Sequence, residues 1–110
     1  MIGVLAAISA AMAVAAGAFG AHGAVGPSEA DWLRTGGTYQ LIHAVGALAI
    51  MGVARRQAML LLVGAAIFAV TLYAMALGAP HWLGAITPVG GTLLIIWWIW
   101  AACAYWRART

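Results

Sequence analysis

The chain has 110 residues, 66% hydrophobic and only 6% charged, with a net charge of +3. Soluble domains carry about 25% charged residues because their surface faces water, so a chain this poor in charge cannot cover a globule and must face lipid. The basic excess is five Arg at the ends of apolar runs, which suits orientation in a bilayer and not nucleic acid. Cys103 is the only cysteine, so no intrachain disulfide can form.

Met1 to Ala21 holds no charged side chain and only Ser9 as a polar one. Roughly 20 such residues cross the hydrocarbon core, which predicts a first span over about 2–23. Its end resembles a signal-peptide processing site, but the basic n-region of a signal peptide is missing. Gly17, Gly20 and Gly23 recur at spacing three. In lipid, helices associate by close packing of small residues, so this stripe is expected to place the first helix at the centre of a bundle. A homodimer seam is the alternative use.

Pro27 and Ser28 follow, and Ser28 with Asp31 resembles a capping pattern. Trp32 among Glu29, Asp31 and Arg34 then predicts a short interfacial helix between spans 1 and 2, with Gly36-Gly37 loosening the chain after it. The second span is expected over 38–54, ending at Arg55-Arg56, and the third over 58–79, closed by Pro80-His81-Trp82. Thr87 is expected to cap the fourth helix, with Pro88 at its first position and Gly90 and Gly91 as further packing sites. That span runs over 88–106, ahead of Arg107 and Arg109.

The expectation is thus an all-α, integral-membrane four-helix up-down bundle forming a single transmembrane domain, 1–110. With four spans, Arg55, Arg56, Arg107 and Arg109 share one side and Arg34 lies beside acidic residues on the other. The excess of Arg marks the cytoplasmic side, which puts both termini in the cytoplasm.

Ionisable residues inside spans are costly and face the bundle interior. His43 lies inside the second span, Tyr39 is one turn earlier on the same face, Tyr73 lies near the outer end of the third span, and His22 ends the first. With Thr87, these five are expected to form one polar cluster in the outer half of the membrane. The plain reading is mutual hydrogen bonding, at about 0.6 kcal/mol per interhelical bond. The sharper ones are a transport path through an oligomer, or a haem or metal site using His22 and His43. Two histidines without cysteine or carboxylate companions are a weak metal signal. No catalytic residue, cofactor or metal is assigned, and no nucleotide-binding or hydrolase motif is present.

GAFGAHG at 17–23, TYQLIHA at 38–44, LYAMAL at 72–77 and GAITPVGG at 84–91 together resemble the domain of unknown function 423 family. It groups small four-span proteins of the bacterial inner membrane and the eukaryotic transmembrane protein 256. The resemblance implies a four-helix protein of the bacterial inner (plasma) membrane and supplies no activity. The partners expected are the lipid bilayer and either a membrane protein complex or further copies of the chain. The function expected is an accessory or assembly component, not an enzyme.

Overall fold

The computed structural model describes residues 1–109, and every regular element among them is helical. Four helices, α1 (Ile2–His22), α2 (Pro27–Ile50), α3 (Arg55–Ala76) and α4 (Thr87–Ala108), are joined by short connections, the last containing a 3-10 turn at His81–Ala85. Lengths of 21 to 24 residues correspond to about 31–36 Å of helix, close to the ~30 Å of a bilayer core. By length and composition, α1, α3 and the His81–Ala108 stretch are apolar enough to cross a membrane. α2 is long enough but more polar.

The breaks have local causes. α1 stops at Gly23, whose N–H donates to the Phe19 carbonyl at 2.7 Å. Pro27 and Pro88 each sit in a first helical turn, where a missing N–H leaves no bond unmade. α3 ends in a Schellman cap: Ala79 N–H reaches the Ala74 carbonyl at 2.9 Å and Gly78 N–H the Met75 carbonyl at 3.1 Å. Gly78 takes φ 104° there, a left-handed turn that glycine adopts without steric cost.

Neighbouring helices run in opposite directions. Leu33 lies against Gly20 and Gly37 against Ala13, pairing α2 with α1. Gly36 meets Tyr73 and Tyr39 meets Phe68 across α2 and α3. Gly90 rests on Phe68, and Leu94 and Trp97 on Gly64, across α3 and α4.

Several sequence expectations are corrected. No separate interfacial helix precedes the second span; those residues are the first turns of α2, and Gly36-Gly37 lie inside an unbroken helix. Both glycines are buried and admit neighbouring helices, with a Cβ at Gly37 falling 2.9 Å from the Ala13 carbonyl. Neither Ser28 nor Thr87 caps its helix; the capping positions are Gly26 and Ile86. Nor is α1 central. It buries only a narrow seam, Ile2, Ala6, Ala13 and Gly20, at the heptad-like spacing of a one-sided contact. α2 and α3 form the middle of the molecule, and α3 buries residues around most of its circumference, from Gln57 to Ala76. A thin Ala/Gly helix can approach one neighbour closely but offers little side-chain volume for others to pack around.

Candidate functional site

The polar interior centres on Gln40, a residue the polar-cluster expectation omitted. It is 2% exposed. The Tyr73 hydroxyl donates to Gln40 Oε1 at 2.6 Å, and Gln40 Nε2 donates to Ser9 Oγ at 3.1 Å. One amide therefore ties α1, α2 and α3 together. A second tie joins α3 to α4: Thr71 Oγ1 lies 2.7 Å from Thr87 Oγ1 and 3.0 Å from the carbonyls of Ile67 and Phe68. A hydroxyl has one proton, so when Thr71 donates to its own backbone, Thr87 donates to Thr71.

His43 stands apart from both ties. It is 6% exposed, and its Nδ1 lies 2.6 Å from the Tyr39 carbonyl one turn earlier. A carbonyl only accepts, so Nδ1 carries the proton, and in the neutral ring Nε2 is left as an acceptor. The imidazole sits 6.1 Å from the Trp98 ring and 6.4 Å from the Tyr39 ring, and Tyr39 in turn meets Phe68 edge-on at 5.1 Å. These four side chains line a groove of about 670 Å³ on the α2/α4 side, with Thr35 and Thr92 also on its wall.

The five expected cluster residues are therefore divided. Tyr73 bonds Gln40, Thr87 bonds Thr71, and Tyr39 and His43 line the groove. His22 joins none of them and is exposed at the end of α1. It lies two residues from Gly20, which packs on Leu33, while His43 is ten residues beyond Leu33, about 15 Å along α2. Metal–nitrogen bonds of about 2 Å cannot bridge that gap, so no single ion or haem iron is held by both. Among the described residues no three His, Cys, Asp or Glu side chains come together.

The packing glycines divide as well. A Cβ at Gly20 would meet Leu33 at 3.0 Å, and one at Gly90 would meet the Phe68 backbone nitrogen at 2.7 Å. A Cβ at Gly23 would touch only its own helix's Phe19, one at Gly91 would make an ordinary 3.7 Å contact with Phe68, and one at Gly17 would meet nothing within 4 Å. Arg55, Arg56 and Arg107 are exposed at helix ends, and the Arg109 guanidinium lies 3.8 Å over the Trp106 ring.

The expected cluster, built around the intramembrane histidines, leaves out Ser9, Gln40 and Thr71. The available signal was their rarity, since Ser9 is the lone polar side chain of α1's apolar run.

The sequence model of the family described as Protein of unknown function (DUF423) matches residues 16–91. The chain belongs to that family. It is 36% identical to a UPF0382 membrane protein of Haemophilus influenzae, with 96% of this chain and 94% of that protein covered. It is 39% identical to a UPF0382 membrane protein of Staphylococcus saprophyticus, over 87% and 88% of the two chains. It is 35% identical to the UPF0382 membrane protein YwdK of Bacillus subtilis, again over 87% and 88%. No solved structure matches. The chain is thus a membrane protein of a family without an assigned function. The matched segment contains Gln40, His43, Thr71, Tyr73 and Thr87, while Ser9 and Trp98 lie outside it.

Proposed function

We propose that this chain is a non-enzymatic, four-span up-down bundle of the bacterial inner membrane that packs against and stabilises a larger membrane complex. The observation that carries the reading is where its polar groups go. Among the described residues no fully buried side-chain nitrogen or oxygen lacks a partner, and the partners are other side chains or backbone within the bundle. Polar chemistry in the interior is used to hold helices together. A transport path needs polar groups lining a water-filled route; Ser9, Gln40 and Tyr73 instead bond one another.

The polarity of α2 agrees with its spanning, because Gln40 and His43 point inward and Leu41, Ile42, Val45 and Leu48 face out. The outer face of α4 carries Ile95, Ile96, Ile99 and Trp100, all exposed, a wide aromatic and branched surface for a protein neighbour within lipid. Blue native electrophoresis after mild-detergent extraction at native expression levels tests this. The expected result is a band of defined stoichiometry containing a second protein. Migration as a monomer or homo-oligomer alone would overturn it.

A further inference from the structure

We infer that the groove between α2 and α4 binds the hydroxylated aromatic ring of a membrane quinol, with His43 Nε2 accepting the ring's O–H. This goes beyond the accessory reading and does not depend on it.

Three observations converge on the groove. First, its volume of about 670 Å³ lies within the ~300–1,000 Å³ of sites that enclose small molecules. Second, its walls carry the rings of Tyr39, Phe68 and Trp98 together with the imidazole. Aromatic pairs favour offset or edge-on contacts with centroids 4.5–7 Å apart, so such walls suit a planar ring better than an acyl chain. Third, the polar handle is specific in sign. Nδ1 is engaged by the Tyr39 carbonyl, and the two ring nitrogens point away from each other, so Nε2 is carried to the far edge of the ring. No hydrogen bond from a described residue reaches Nε2.

Among the described residues no fully buried side-chain nitrogen or oxygen is unpaired, so Nε2 is open on the wall that His43 gives to the groove, and an acceptor facing hydrocarbon in place of water favours a ligand that brings a donor. Phospholipid chains bring none, and a quinone brings only acceptors. A quinol brings a hydroxyl on a flat ring, and its apolar tail can leave the open side of the groove along Ile95 into lipid.

The test is a titration of the purified full chain in nanodiscs with decylubiquinol kept reduced, with decylubiquinone and with decanol, each corrected for empty nanodiscs. Saturable quinol binding is expected, roughly tenfold tighter than the quinone, since one net hydrogen bond supplies up to that factor. Decanol should compete poorly. His43→Phe should remove the preference for quinol over quinone. Gly91→Leu should abolish binding, because position 91 has room for a Cβ at 3.7 Å from Phe68 and a longer side chain there enters the groove. The comparison of three ligands on the unmodified chain needs no variant to fold. Equal binding of quinol and quinone, equal competition by decanol, or partition without saturation would each overturn the site, whatever complex the protein joins.

Discussion

An amide buried among apolar helices must satisfy both its carbonyl and its NH2 group, and Gln40 does so through two different helices. Replacing it with leucine keeps the approximate volume but leaves the Tyr73 hydroxyl and Ser9 without their interhelical partner. At about 0.6 kcal/mol per such bond, and at most about 1.7, Gln40→Leu should lower stability by roughly 1–2 kcal/mol in unfolding by SDS from mixed micelles. Adding Tyr73→Phe to that variant should cost almost nothing more, because residues sharing one bond are not additive. Additive losses would show that the 2.6 Å bond contributes little. At this scale the sequence was partly legible. TYQLIHA drew attention to Tyr39 and His43, where charge or aromaticity stands out, and passed over the glutamine between them. What could not be read was direction. Tyr39 and Gln40 are adjacent, yet one is 46% exposed and the other 2%, because successive helical residues point about 100° apart.

The helices themselves were largely visible as elements, since long apolar runs bounded by Arg, Pro and Gly leave few alternatives. Their neighbours were not. A glycine stripe says that something can approach, and only the fold says which glycines are approached. The α3/α4 seam makes this quantitative: a methyl group at position 90 would fall 2.7 Å from the Phe68 nitrogen and 2.9 Å from the Gly64 carbonyl, and backbone cannot swing aside as a side chain can. Gly90→Ala should therefore force α3 and α4 apart and cost about 1–3 kcal/mol, the usual range for overpacking. Gly17→Ala, in the spacing-three glycine stripe of α1, should stay within about 0.5 kcal/mol because nothing lies within 4 Å. Thermal unfolding of the two variants in the same detergent compares them directly, and equal losses would contradict the seam.

For the whole molecule, a hydropathy count and the fold differ in a useful way over α2. Composition alone leaves it out of the apolar set, while burial shows Gln40 turned toward α1 and α3 and His43 toward Trp98 of α4, with Arg34, Thr35 and Thr38 left exposed nearer its start. Counting residues has no term for which way they face. Arg55, Arg56, Arg107 and Arg109 collect at one end of the bundle, and the Trp32–His81 ring contact at 5.2 Å marks the other; the proposed four-span topology puts these ends on opposite sides of the membrane. The positive-inside rule then predicts cytoplasmic termini. Alkaline phosphatase fused after the last residue should be inactive in intact cells and green fluorescent protein at the same place bright; the reverse pattern would require an odd number of crossings or the opposite orientation.

The bond between Gln40 and Ser9 also has a consequence for biogenesis. A solitary α2 entering the bilayer would carry a bare amide into hydrocarbon, where each unsatisfied polar group costs several kcal/mol. α1 leaves the ribosome first and already presents Ser9 when α2 arrives, while Tyr73 arrives one helix later. On the proposed four-span topology the chain would deliver its most polar helix between two others that complete its hydrogen bonds, which would couple insertion and folding for α2 and make α1 its receiver in the bilayer.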